Sequence, residues 1–430
     1  MKNWAEKSTK NEPWRLKCSV HIYDWGRIGK ESKAARLFLL NSGSEIQQDE
    51  PYAEFWMGTH ESGPSFVINN RKGGSESEFM TLKSWILENP SVLGHKVLKR
   101  WGADLPFLFK VLSVAKPLSI QAHPDKELAR TLNKLQPTIY KDNNHKPEMA
   151  LALTEFEALC GFVSLKELKS VFLTVPEILE LIGNDEADQF LNVNEESGEK
   201  KVKAALQSLV TQLMSASERS ISETIYKMKR RLDMEKKVRQ LTDKEQMVLR
   251  LEKQYPADIG VMFAFFLNYV KLNHGEALYL GANEPHAYLS GECIECMATS
   301  DNVVRAGLTS KYRDIQNLCS MLTYRQGPLE ILHGFPLNPY TKRYLPPFDE
   351  FEVDHCILPE GMSTIFPPVP GPSIFLVIAG EGTMQTGSFV ETISEGAVLF
   401  VPADTEIIVT SIEGLQLHRA GINSRFLLEN

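Results

Sequence analysis

Cysteine is scarce, with six in 430 residues. That is too few in too long a chain for a secreted disulfide framework. Long hydrophobic runs are also missing. The most apolar stretch, Val261-Met262-Phe263-Ala264-Phe265-Phe266-Leu267, is much shorter than a bilayer-spanning helix needs. Positive charge is outweighed, 47 Lys and Arg against 55 Asp and Glu. A net charge of -8 offers phosphate backbones no general attraction, so nucleic acid is excluded as a partner and only a local basic pocket for a single phosphate is left open. The only Asn-x-Ser is Asn89-Pro90-Ser91, where proline blocks glycosylation. The opening residues Met1-Lys2-Asn3-Trp4-Ala5-Glu6-Lys7 lack the apolar centre of a signal peptide. The expectation is a cytoplasmic protein with no membrane partner.

Several chemical signatures are absent too. Tyr23-Asp24-Trp25-Gly26-Arg27-Ile28-Gly29-Lys30 has two residues between its glycines where a phosphate-binding P-loop needs four, and Glu31 follows the lysine. It reads as a turn beside a strand. Cys293-Ile294-Glu295-Cys296 has no second pair for a structural zinc and no βαβ context for redox work, so a structural role is expected.

What is present centres on Leu118-Ser119-Ile120-Gln121-Ala122-His123-Pro124-Asp125. Apolar and polar residues alternate, which places Ser119, Gln121 and His123 on one face of a strand. Pro124 ends that strand, and a helix is expected from Asp125. Residues 107–115 read as a buried strand directly before it, 51–60 as an aromatic strand of the sheet core, and 79–89 as a short helix. Lys146-Pro147-Glu148-Met149 feeds another apolar strand with Lys146 and Glu148 on one face.

From about Ser164 the apolar spacing becomes helical and stays so to about Pro256, with a break at 195–199. The run Lys227-Met228-Lys229-Arg230-Arg231 has acidic neighbours and reads as a solvated helix face. The β texture returns at Gly275. Residues 275–288 and 396–407 superpose Gly on Gly, 121 positions apart, with matching apolar positions and a matching Asn/Asp turn. This suggests two copies of one β-barrel unit. His286 in the first copy corresponds to Ile407 in the second, so the first is equipped for chemistry. His286, combined with Gln121, His123 and Glu148, makes a set of two imidazoles, a carboxylate and an amide suited to Zn²⁺. Downstream, Glu292, Glu295, Asp301, Arg305, Lys311, Tyr312 and Arg313 crowd charge around Asn302-Val303-Val304-Arg305-Ala306-Gly307-Leu308-Thr309. A buried Arg305 would need an anionic partner.

With these residues assembled, the chain resembles the type I phosphomannose isomerase family, zinc enzymes of the cupin superfamily. The resemblance is carried in order by Tyr23-Asp24-Trp25-Gly26, by Tyr52-Ala53-Glu54-Phe55-Trp56-Met57-Gly58-Thr59-His60 and by Ser119-Ile120-Gln121-Ala122-His123-Pro124-Asp125-Lys126. Lys146-Pro147-Glu148-Met149 and Gly281-Ala282-Asn283-Glu284-Pro285-His286-Ala287-Tyr288 follow, the latter running on to Asn302–Thr309. It implies a mainly β fold of two cupin or jelly-roll barrels with an inserted α-helical domain: 1–160 and 259–330 for the catalytic barrel, 161–258 for the insertion, and 331–430 for a metal-free C-terminal barrel. It implies one zinc per chain, held by Gln121, His123, Glu148 and His286, and a catalytic Arg305. The implied reaction interconverts mannose 6-phosphate and fructose 6-phosphate through a cis-enediol, linking glycolytic sugar phosphate to GDP-mannose supply. Glu295 is the first candidate for the proton-carrying base, with Lys146 and zinc-bound water as rivals. Ser119, Lys126, Arg305 and Lys311 are phosphate candidates, Asp301 a further substrate contact, and Tyr288 and Trp25 wall residues. A monomer is expected, with a weak dimer as the alternative. Rival readings are an iron-dependent cupin dioxygenase and a non-catalytic sugar-binding cupin.

Overall fold

The computed structural model describes residues 12–68 and 79–428; the opening stretch 1–7 discussed above lies outside them. Two antiparallel sheets, of ten and eleven strands, organise the chain, and helices dominate between residues 165 and 254.

The ten-stranded sheet is built around the long strand His286–Ala298. It pairs with Phe107–Val114, Glu148–Ala152 and Phe156–Phe162, and its first residue pairs with Gln121. One strand reaches four partners because it bends. Gly291 has φ +110, and a Cβ there would lie 2.3 Å from the Glu155 carbonyl oxygen, so only glycine fits. Before the bend the strand pairs with Phe156–Phe162, and after it with Phe107–Val114 and Glu148–Ala152. Alternation then sorts the side chains. Ile294 and Cys296 join the core of Phe107, Phe109, Val111 and Met149, which leaves Cys293, Glu295 and Met297 for the opposite face.

Strand Ser19–Ile28 carries a second irregularity. Ile22 and Arg27 both register with Tyr52, so residues 23–26 leave the ladder with Pro51–Met57 as a bulge, from which Gly26 pairs with Val114 on the other side. The turn expected beside a strand is this bulge, set inside one. Residues 79–89 also differ from expectation. Phe79–Thr81 is a strand paired with Phe66–Ile68, and the helix is confined to Leu82–Glu88. The Thr81 side chain accepts from the Ser84 N–H and caps that helix, a contact that fixes its start after the strand.

The 121-residue repeat is structural as well as sequential. Gly275 and Gly396 have φ +82 and +86, and Asn283 and Asp404 have φ +63 and +59. Strands Ala277–Leu280 and Val398–Val401 correspond, and His286 and Ile407 each begin the longest strand of their sheet. Ile407 is buried in an apolar core with Val409 and Leu417. The two sheets interleave along the chain: Trp14–Lys17 pairs with both Val398–Val401 and Phe66–Ile68, placing the first described strand in the C-terminal sheet.

The helices have the expected start signals. Ser164 caps Leu165–Thr174, and Thr242 and Glu245 form a capping box on Asp243–Gln254. Helix Glu218–Glu235 buries Ile221, Ile225, Met228 and Leu232, a spacing of three and four residues. Its basic run is an ion-paired outer face: Lys227 meets Glu180 at 2.6 Å, Lys229 meets Glu252 at 2.6 Å and Arg231 meets Glu177 at 2.7 Å. Among the described residues, no helix is long and apolar enough to cross a membrane.

Candidate metal centre and adjoining cavity

Strand Ile120–Ala122 is only three residues long and sits between two partners, Val304–Gly307 on one side and the start of His286–Ala298 on the other. Gln121 is therefore in register with both His286 and Arg305, and directly opposed residues of antiparallel strands share a face. His123 follows just past the strand end and is fully buried. Glu148 begins its own strand, registered against Met297 of the long strand.

Three of these groups converge. His123 Nε2 lies 3.2 Å from Glu148 Oε1, and His286 Nε2 lies 3.4 Å from Glu148 Oε2. The three ligand atoms lie within 4.8 Å of one another and all three residues are buried. The outer ring nitrogens settle which inner atoms are free. His123 Nδ1 is 2.7 Å from the Asn302 carbonyl oxygen, and His286 Nδ1 is 2.9 Å from that of Glu284. A carbonyl only accepts, so each Nδ1 carries the proton and each Nε2 presents a lone pair. Among the described residues, His123 Nε2, His286 Nε2 and Glu148 Oε2 have no hydrogen-bond partner although buried. Burial holds the His123 imidazole down to about 4 even against the pull of Glu148, so a proton does not relieve the clash of lone pairs near neutrality. Burial alone would raise the Glu148 carboxyl, yet His123 and Lys146 hold it well below its usual range. A borderline divalent cation fits the point on which these donors converge. Gln121 is half-buried beside them, its Oε1 accepting from Ser119 Oγ at 3.2 Å.

Glu148 and Gln121 border a cavity of about 320 Å³, and His123 and His286 lie behind its wall. Trp25, Ser119, Gln121, Lys146, Glu148, Tyr288, Glu295, Asp301, Arg305 and Lys311 all line it. Lys126 does not. Asp125 caps helix Lys126–Leu135 with bonds to the Glu127 and Leu128 N–H groups. That cap turns the chain away after the strand, and the Lys126 charge is felt instead by Glu350. The Cys-x-x-Cys thiols are buried and lie in different cores. Burial pushes both well above the usual thiol range, as suits a structural role.

Arg305 is half-buried, and among the described residues nothing forms an ion pair or side-chain hydrogen bond with it. Burial lowers its pKa from the ordinary arginine value. An unpaired guanidinium lining a cavity is poised for an anion from outside. Asp301 also faces the cavity, its Oδ1 3.3 Å from His60 Nε2.

Lys110 went unread in the sequence. It sits in the otherwise apolar strand Phe107–Val114, registered with Glu295 and Trp56. Its ammonium is buried 3.0 Å from Glu295 and 3.1 Å from Glu54, and 4.8 Å from the Trp56 ring centroid. Burial opposes its charge, but Glu295 and Glu54 together raise its pKa. Glu295 is raised by burial, against the pull of Lys110 and with the help of Glu148. The available signal was a lysine inside a strand with no other charge. Such a residue must be paired if the strand is buried.

Residues 14–165 match the catalytic domain of the phosphomannose isomerase type I family, and residues 181–267 match its helical insertion domain. Mannose-6-phosphate isomerase 2 of Arabidopsis thaliana is 61% identical over 96% of this chain and 94% of its own length. Mannose-6-phosphate isomerase of Schizosaccharomyces pombe is 40% identical over 93% of this chain and 96% of its own. Among solved structures, a mutant of phosphomannose isomerase from Salmonella typhimurium superposes with a TM-score of 0.80 at 30% identity, covering 96% of this chain and 99% of that one. A mannose 6-phosphate isomerase bound with zinc and yttrium superposes with a TM-score of 0.80 at 29% identity, with the same coverage.

Proposed function

The chain belongs to the type I phosphomannose isomerase family, and from that premise we propose that it interconverts mannose 6-phosphate and fructose 6-phosphate. The observation that carries the reading is the meeting of two imidazole lone pairs and a carboxylate, all buried, at the edge of a cavity with an unpaired arginine. We assign zinc to Gln121, His123, Glu148 and His286, one ion per chain, because Ile407 occupies the equivalent of His286 in the second copy. Bound there, zinc supplies Lewis-acid stabilisation of oxygen charge without redox chemistry.

The remaining groups divide the work of aldose–ketose isomerisation. One proton leaves C2 of mannose 6-phosphate and one is delivered to C1, with a cis-enediol between. Glu295 is the assigned carrier: it faces the cavity, and burial raises its carboxyl toward the neutral range, making it a stronger base than an exposed glutamate. Lys110, which also lines the cavity, anchors it through the 3.0 Å ion pair. Lys146, 3.3 Å from Glu148 and also lining the cavity, is the alternative carrier. Arg305 meets negative charge in the substrate, and Ser119 and Lys311 complete the phosphate contacts. Asp301 touches the sugar, while Trp25 and Tyr288 shape the wall. The domain division given above, a cytoplasmic monomer and a place at the entry to GDP-mannose supply complete the proposal.

The test is to supply mannose 6-phosphate to the zinc-loaded protein in deuterated water. Fructose 6-phosphate carrying deuterium at C1 is expected. Product without any deuterium would leave either return of the same sheltered proton or a hydride shift, and parental turnover by Glu295→Gln in that case would remove the proton carrier. Binding with no product would instead favour the non-catalytic sugar-binding cupin.

A further inference from the structure

We propose that Asn283 is the positioning residue that locks the two histidine-bearing loops in ligating geometry. The inference rests on the metal reading above and extends it to a residue that does not itself reach the metal point.

Asn283 ties the two loops through backbone and side chain at once. Its N–H donates to the His123 carbonyl at 2.7 Å. Its side-chain Nδ2 donates to Asp125 Oδ2 at 3.0 Å, and its Oδ1 accepts from the Asp125 N–H at 3.2 Å. The next residue, Glu284, supplies the carbonyl that fixes the His286 ring. The amide of Asn283 therefore spans the chain just after one imidazole and just before the other. Outer groups of this kind hold ligands at the angle a metal needs.

The second copy of the repeat separates what the fold needs from what the metal needs. Asp404 occupies the same left-handed position and makes the same backbone bond, donating to the Val369 carbonyl at 2.7 Å. Its side chain is exposed. The turn thus needs a residue tolerant of positive φ, which Asn and Asp both are. The reciprocal amide–carboxylate pairing is found in the copy that carries the histidines. Asp125 is free to take part because its other oxygen, Oδ1, caps the following helix.

This predicts a charge-swap experiment. Asn283→Asp keeps a residue the turn accepts but sets two carboxylates against each other. Zinc should then pass to a chromophoric chelator some 10–100-fold more readily than from the parent, while the metal-free form still melts cooperatively, at a somewhat lower temperature. Adding Asp125→Asn reverses the pairing: the new amide donates to the new carboxylate, and asparagine caps a helix as well as aspartate. The double variant D125N/N283D should recover parental zinc retention. If N283D holds zinc as the parent does, or if the folded double variant leaks zinc as freely as the single one, the inference is overturned. Should N283D alone fail to fold, retention by the double variant decides. H286A run alongside separates the two levels. If H286A also keeps its zinc, the metal reading itself falls; if H286A loses it and N283D does not, only the role of Asn283 falls.

Discussion

A lysine and an arginine show how far single residues can be read. The meeting of His123, Glu148 and His286 follows signals in the sequence: alternation gives the faces of His123 and Glu148, and the repeat singles out His286. Arg305 was legible as a charge enclosed by Val304 and Ala306. Lys110 was not, since pairing across strands joins it to Glu54 and Glu295, and no local pattern reports partners 56 and 185 positions away. Lys126 closes a motif whose Ser119 and Gln121 line the cavity, but the Asp125 cap starts a helix there and Lys126 is not among the lining residues. At this scale the account predicts that Arg305→Ala keeps its zinc and its melting temperature but loses turnover by about 10²–10³-fold, as removing one well-placed donor does. Steady-state kinetics with metal analysis checks it. Parental turnover in that variant would remove Arg305 from the site.

The elements that place these residues owe their shape to breaks in regularity. Residues 107–115 were read as a buried strand and are one, but the bend at Gly291 was invisible. A glycine in a strand signals a bulge or a close approach without saying which. Here it is both, and it lets one strand carry His286 at one end and Glu295 beyond the turn. The bulge at 23–26 similarly delivers Tyr23, Asp24 and Trp25 to the cavity. Gly291→Ala should destabilise the protein by about 2–4 kcal/mol, since its Cβ meets backbone at positive φ. A urea midpoint unchanged from the parent would show that the bend tolerates a side chain.

For the whole molecule, the two-barrel repeat and the helical insertion were legible because hydrophobic period and a 121-residue offset survive in the sequence. The interleaving of the sheets through Trp14–Lys17 was not, being a long-range pairing. Where the two sheets meet, His355 and His418 stack with centroids 4.5 Å apart, beside His274. Lys342 and Lys33 also act on this pair, and no carboxylate offsets them strongly. Burial chiefly, then His274 and Lys342, brings His355 down to about 4; burial and the same cationic surroundings hold His418 well below its usual value. The unfolded chain therefore takes up protons below about pH 6.5 while the folded one does not until near pH 4. Stability is full above pH 6.5 and falls as pH drops through that window, by about 3 kcal/mol for His355. Urea midpoints at pH 7.5 and 5 should show the fall, and H355Q/H418Q should flatten it. An equal slope in parent and variant would place the pH dependence elsewhere.

The central claim is that the buried His123–Glu148–His286 cluster holds the zinc on which isomerisation depends. The most direct measurement is conversion of mannose 6-phosphate to fructose 6-phosphate before chelation, after it, and after zinc is returned. The account predicts activity that disappears with the metal and comes back with about one zinc per chain. Full turnover in protein shown to be metal-free would contradict it.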